Sequence, residues 1–205
     1  MPQGELNTEI LLQNNARSQE LLYKHYAPKM YGICMRFTGN QMEADDILQD
    51  GFIKIFTKLK DFRNEGSLEG WIRKTIINTA INFYRKKLKY SYFDDIEGLE
   101  VPETKEENIY DKLSKEELIK LIQELPNGYR TIFNLYVIEG YSHKEIGKML
   151  NISNNTSKSQ LTRARNILQR KVLALMKEKV KVPFENFRVI RNEKIRYLPE
   201  FLKAV

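Results

Sequence analysis

Residues Ser142 to Arg170 constrain this chain more than any other stretch. Ser142-His143-Lys144-Glu145 sets a hydroxyl three residues ahead of a carboxylate, the pairing that closes a helix N-terminus. The short helix it opens ends at Leu150, and Asn151-Ile152-Ser153 turns the chain in three residues. A long basic helix follows from about Asn154 to Lys179, with Leu161, Ala164 and Leu168 on its inward stripe. Short helix, tight turn and long basic helix make a helix-turn-helix, whose second helix enters the major groove while the first braces it. Gly147 is expected where the two helices cross closely, and Ile152 is expected to plug their core. Lys158, Ser159, Thr162 and Arg163 then share the outward face. The cations suit phosphates or guanine edges, and the hydroxyls suit either task. A hairpin with a merely solvated basic face is the plainer alternative; capping, turn length and charge together favour DNA.

The rest of the chain reads as helix too. Leu22, Tyr26, Met30, Ile33 and Phe37 recur at steps of three or four from Ser18 onward. Asn40 and Glu43 predict a second cap, followed by the stripe Ala44, Ile47, Leu48, Gly51, Phe52, Ile55 and Leu59. After the turn Asn64-Glu65-Gly66-Ser67, a helix over about 68–89 carries Leu68, Trp71, Ile72, Thr75, Thr79 and Phe83 on one face. Ser114 and Glu117 open another helix, with Leu118, Leu121, Ile122 and Leu125 inward, and a further one is expected from about Tyr129 to Ile138. The fold class is all-α: two small helical domains joined by a flexible acidic linker, the second a four-helix helix-turn-helix domain.

Charge divides the chain in the same places. Residues 1–89 carry a net +4, residues 90–111 a net −7 and residues 112–205 a net +10, within an overall +7. Residues 90–111 also hold Gly98 and Pro102 with no sustained apolar period, which predicts a flexible linker. Two basic bodies on an acidic tether suit a polyanion held at two places, with plain solvated surface charge as an equal alternative at this point. No apolar run approaches the roughly 18–20 residues of a membrane span, and Met1 to Arg17 lacks a signal-peptide pattern. A single cysteine, Cys34, fits a reducing compartment, so the expected location is cytoplasmic. With only His25 and His143 beside it, a Cys/His metal site is not expected, nor is any cofactor.

The N-terminal half offers two opposed surfaces. Asp45, Asp46, Gln49 and Asp50 project from one side of the second helix, since 45/49 and 46/50 are i,i+4 neighbours. A merely solvated face is the plainest reading; carboxylates on one convex helix do not converge as a magnesium site requires, and a protein-docking face is the more credible functional one. On the third helix Lys74, Asn78 and Arg85 form a polar face, with Phe62, Trp71, Phe83 and Tyr84 nearby. Cations along a backbone and aromatics for stacking suit single-stranded nucleic acid. Trp71 and Phe83 fit the core stripe at least as well. The loop Asn64 to Ser67 is small and polar enough to cup an extruded base.

Taken in order, these segments resemble a known family. The run Ala44-Asp45-Asp46-Ile47-Leu48-Gln49-Asp50-Gly51-Phe52 is followed by Trp71-Ile72-Arg73-Lys74-Thr75 and on through Asn82. Beyond the linker stand Leu125-Pro126 and Thr156-Ser157-Lys158-Ser159-Gln160-Leu161-Thr162-Arg163-Ala164-Arg165. Over about residues 16–89 and 112–178 the chain resembles the small, two-domain bacterial RNA polymerase sigma factors of the extracytoplasmic-function (ECF) group. That resemblance implies a transcription initiation factor without enzymatic activity, monomeric when free, whose partners are core RNA polymerase and promoter DNA. It implies that Asp45, Asp46, Gln49, Asp50 and Phe52 dock on the polymerase clamp coiled coil. It implies that Asn64, Gly66, Ser67, Trp71, Lys74, Asn78 and Arg85 capture a flipped base of the melted −10 element. Lys158, Ser159, Thr162, Arg163 and Arg165 correspond to the helix that reads the −35 element as duplex. The acidic linker would thread the RNA-exit path, and members of the group are commonly held by an anti-sigma factor.

Departures from the group's commoner pattern bear on the −35 preference rather than the docking mode: Asn82 for aspartate, Asn154-Asn155 for Glu-Gly, Ser157 for valine and Gln160 for arginine. The expected division is 1–89 for docking and −10 recognition, 90–111 as linker, 112–180 for −35 recognition, and 181–205 as a C-terminal extension of unknown role. Alternation around Phe187, Val189, Ile190 and Ile195 allows a short strand in that extension. Two rivals stand beside this reading. One is a helix-turn-helix regulator that binds duplex DNA without being a polymerase subunit. The other is a magnesium-dependent nuclease built on Asp45, Asp46 and Asp50.

Overall fold

Most helices begin where a side-chain acceptor stands ready for the first free N–H groups. The computed structural model describes residues 8–90 and 114–180, which fall into two units divided between Lys86 and Lys87. The first holds α1 (Thr8–Leu12), α2 (Ala16–Phe37), α3 (Gln41–Lys58), a 3₁₀ turn (Leu59–Asp61) and all but the last turn of α4 (Leu68–Tyr90). The second holds α5 (Lys115–Gln123), α6 (Asn127–Phe133), a π-helical turn (Asn134–Ile138), α7 (His143–Leu150) and α8 (Asn154–Val180). No strand occurs among the described residues, and the class is all-α. The expected linker beyond Tyr90 and the extension 181–205 lie outside the described residues.

In the first unit, Asn15 Oδ1 accepts from the Ser18 amide at 2.9 Å and starts α2 earlier than the apolar spacing alone predicts. Asn14, at φ 51°, turns the chain before it and donates from Nδ2 to the Phe56 carbonyl at 2.8 Å. Asn40 caps α3 as expected, its Oδ1 accepting from the Glu43 amide at 2.9 Å. The expected stripes of α2 and α3 are buried throughout. Gly51 is buried against α4 so closely that a Cβ there would overlap Ile76 Cδ1.

α4 corrects the expected stripe. Its buried side chains are Leu68, Ile72, Ile76, Ile77, Thr79, Ala80, Ile81 and Tyr84, whereas Trp71, Thr75 and Phe83 are only half-buried. At roughly 100° per residue, the core face lies about a quarter turn from the predicted one. A stripe through Trp71 and Thr75 would leave Ile76, Ile77 and Ile81 in water, so apolar burial selects the other face.

The second unit is built on reciprocal caps. The Glu117 amide donates to Ser114 Oγ at 3.3 Å, while the Ser114 amide donates to Glu117 Oε2 at 2.9 Å. Ser142 and Glu145 repeat the arrangement at the head of α7. α6 starts at Asn127, two residues before the expected Tyr129, and the expected single helix to Ile138 gives way to the π turn at Asn134. Buried Arg130 gathers the end of α5, donating to the carbonyls of Gln123 and Leu125 and to Asn127 Oδ1. Between α7 and α8, Asn151 adopts φ 56° and the Ile152 amide donates to the Gly147 carbonyl at 3.0 Å. A Cβ on Gly147 would lie 2.9 Å from the Ile152 carbonyl oxygen. The glycine is therefore required by the turn itself rather than by a crossing of helices, and Ile152 is half-buried rather than a full core plug.

Candidate nucleic-acid and protein interfaces

The exposed side of α3 bears free carboxylates. Asp46, Gln49 and Asp50 are exposed, and no hydrogen bond or ion pair engages Asp46 or Asp50 among the described residues. Asp45 is half-buried and hydrogen-bonded to the Tyr31 hydroxyl, whose pKa is raised by burial and then by the Asp45 charge. Phe52 is not on this surface. It is 2% exposed and packs edge-on to Tyr23 at 4.7 Å between ring centroids, with Phe56 at 5.8 Å. Met42 and Ile53, at 76% and 62% exposed, stand on the same side of the helix at the 42, 46, 49, 53 spacing. Neither residue belongs to the core stripe of α3, so apolar periodicity in the sequence does not mark them.

α4 begins at Ser67, whose Oγ accepts from the Gly70 amide at 3.0 Å. Its hydroxyl thus serves as a cap as well as a loop group. Before it, Asn64 at φ 58° and Gly66 at φ 114° bend the loop back toward the helix. The result is a cleft of about 410 Å³ lined by Asp61, Phe62, Arg63, Glu65, Ser67, Gly70, Trp71 and Lys74. The Phe62 and Trp71 rings stand 5.8 Å apart at 55°. A Cβ on Gly70 would come within 2.9 Å of Ser67 Oγ, so the glycine leaves the cap undisturbed. Trp71 therefore turns away from the core and joins Lys74, Asn78, Asn82 and Arg85 along the open side of α4. Buried Tyr84 cannot serve as a stacking surface there. Glu65 is expected only as part of the loop Asn64 to Ser67, and Asp61, Arg63 and Gly70 carry no signal in the sequence, since their convergence depends on how the loop folds back.

On α8, Lys158, Ser159, Thr162 and Arg163 are all exposed. Ser159 Oγ donates to the Thr156 carbonyl at 3.1 Å and Thr162 Oγ1 to the Lys158 carbonyl at 3.2 Å, which leaves their lone pairs facing outward. Arg163 Nη1 reaches the Tyr129 hydroxyl at 3.4 Å. Arg165 departs from expectation: it is half-buried, its guanidinium 5.9 Å from the Tyr136 ring centroid. Leu161 and Ala164 lie inward, and Arg165 follows them around the helix toward the core.

Behind that face, Ser157 is fully buried and its Oγ lies 2.9 Å from His143 Nδ1. The His143 ring stacks on Tyr136 at 4.3 Å. Burial, then the charges of Lys158 and Arg165, hold the His143 pKa below its usual value. Its neutral form is therefore favoured in the fold, and stability present above the ordinary histidine pKa declines as pH falls through the depressed one. Thermal melts of the wild type between pH 7.5 and 5.5 are expected to drop more than those of His143→Gln, which cannot titrate. Parallel curves would remove this contribution.

Among the described residues no helix is long and apolar enough to cross a membrane, and no cluster of His, Cys, Asp or Glu has the arrangement of a metal site. The Sigma-70 region 2 family model matches residues 22–89, and the Sigma-70, region 4 model matches residues 115–168. The chain is 32% identical over 158 residues to the ECF RNA polymerase sigma factor SigW of Bacillus subtilis, covering 72% of this chain and 84% of that protein. It is 26% identical over 187 residues to the RNA polymerase sigma-H factor of Pseudomonas aeruginosa, covering 86% and 97%. A third relative, the RNA polymerase sigma factor SigV of Bacillus subtilis, is 30% identical over 139 residues, covering 68% and 81%.

Proposed function

The chain belongs to the ECF RNA polymerase sigma factors and directs core RNA polymerase to promoters, and we propose that its two units divide that work as follows. Residues 1–89 dock on the polymerase through Asp46, Gln49 and Asp50 and capture a base of the melted −10 element in the cleft beside Trp71. Residues 112–180 read the −35 element through the exposed face of α8. Asn64 and Gly66 shape the cleft, Lys74, Asn78 and Arg85 follow the strand away from it, and Lys158, Ser159, Thr162 and Arg163 face the duplex. Asp45 supports the docking helix through Tyr31. Phe52 supports it from the core. Arg165 contributes charge beneath the duplex rather than a base contact. The activity is binding alone, without catalysis or cofactor, and it belongs in the cytoplasm with the polymerase.

The observation that carries this reading is the Trp71 cleft. An aromatic wall, an open stripe of cations and carboxamides, and a loop bent by two positive-φ residues together suit an unstacked nucleotide. Base stacking on such a side chain is worth roughly 1–3 kcal/mol. That offsets part of the few kcal/mol that unpairing takes. Trp71→Ala is therefore expected to reduce promoter melting about 5- to 150-fold, read by permanganate reactivity of unpaired thymines, while polymerase binding holds. Trp71→Phe restores most of the loss. Normal melting by the alanine variant would take base capture away from this cleft.

The rival regulator reading loses its ground here, because a regulator without polymerase contact would have no use for the first unit's family match. The nuclease reading is weakened, because Asp46 and Asp50 stand on a convex exposed helix and no carboxylate, histidine or cysteine converges on them among the described residues.

A further inference from the structure

The cleft beside Trp71 carries more charge than base stacking needs. Asp61, Arg63, Glu65 and Lys74 all line it, and among the described residues no hydrogen bond or ion pair engages any of the four. Arg63 and Lys74 have an evident use beside a phosphate backbone. Asp61 and Glu65 do not. Two uncompensated carboxylates repel the phosphates on either side of a captured nucleotide, so their presence opposes binding unless they accept hydrogen bonds from it.

Ionised carboxylates only accept. Cytosine, adenine and guanine each offer an exocyclic amine as donor, at N4, N6 and N2 respectively. Each also offers a ring nitrogen or carbonyl acceptor that Arg63 or Lys74 can meet. Thymine has no amine: its edge sets carbonyl oxygens on both sides of a single ring N–H, and one of those oxygens must face a carboxylate. Resting on the base-capture reading above, we propose that Asp61 and Glu65 make this cleft selective for an amino-bearing base and against thymine.

The test uses the full chain with core RNA polymerase and a pre-melted duplex library whose non-template strand is randomised through the unpaired segment. Bound molecules are sequenced for the wild type, for Asp61→Asn with Glu65→Gln, and for Trp71→Ala. Both carboxylates are exposed, so their amides keep the fold. The expected result is one position at which the wild type depletes thymine about tenfold, the size of an ordinary base mismatch. At that position alone the double amide variant relaxes the depletion. If thymine is enriched there, or if the amides leave every position unchanged while Trp71→Ala alters one, the proposal is overturned and base capture stands. If Trp71→Ala alters no position, base capture fails and the proposal falls with it.

Discussion

Asp46→Lys combined with Asp50→Lys is expected to weaken binding to core RNA polymerase by roughly 30- to 1,000-fold, since loss of desolvated charge pairs at an interface typically spans about 2–4 kcal/mol or more. Both carboxylates are exposed and unengaged within the fold, so their replacement leaves stability within about 0.5 kcal/mol of the wild type. The loss then belongs to the interface, and a thermal melt of the variant serves as the check. Titration of labelled protein into core polymerase at several salt concentrations reads the effect. The wild-type affinity should fall with salt and the variant's should fall less. Exposed Met42 and Ile53 beside the acids supply apolar area that salt does not screen, so wild-type binding is weakened at high salt without vanishing. Unchanged affinity of the double variant would move the docking surface off α3.

The second large effect lies on α8. Lys158→Ala with Arg163→Ala should lower affinity for promoter duplex roughly 10- to 100-fold and leave polymerase affinity intact. Lys158 alone, acting as a phosphate contact, should reduce the slope of log affinity against log salt by about one and weaken all sequences alike. Arg163, beside the outward lone pairs of Ser159 and Thr162, should relax preference at one or two base pairs. Arg165→Ala behaves differently. Its guanidinium lies by the Tyr136 ring and its Nε is buried, so the change lowers the stability of the second unit without altering which bases are preferred. A shift in base preference from Arg165→Ala would return that residue to the reading face.

What could be read in advance follows from how local each signal is. The caps at Asn40, Ser114 and Ser142 are each decided within four residues: Ser114 and Ser142 form the predicted capping boxes, and Asn40 Oδ1 accepts from the Glu43 amide. The stripes of α2 and α3 alternate cleanly between apolar and polar positions, so one face alone could be inward. α4 defeats that reasoning, because apolar residues surround most of it and two faces compete. The deciding signal was present in Ile76, Ile77 and Ile81, which only one of the two faces buries. That error set Trp71 on the core stripe, in competition with its other reading as a stacking surface beside the loop Asn64 to Ser67.

Other features are tertiary and left no local trace. The sequence places Phe52 both on the inward stripe of α3 and, by resemblance, on the docking face; the contacts with Tyr23 and Phe56 that hold it inward come from the fold. Ser157 and His143 are fourteen residues apart and meet only because the turn at Asn151 folds α8 back onto α7. Buried Arg130 is held by the carbonyl groups ending α5, acceptors that no side-chain pattern in the sequence announces. The cleft itself needs Asn64 and Gly66 in left-handed conformations before Arg63 and Glu65 face Trp71.

The division of labour between the two units is tested most directly by sequencing transcript starts. Core polymerase, fragmented genomic DNA and the full chain are combined, with the wild type compared against Trp71→Ala and against Lys158→Ala with Arg163→Ala. The account predicts discrete wild-type starts that share two spaced upstream motifs. The α8 variant should blur only the distal motif, and the Trp71 variant only the proximal one. Loss of the same motif in both variants would contradict the division. The absence of protein-dependent starts, with a polymerase that responds to another sigma factor, would contradict the function itself.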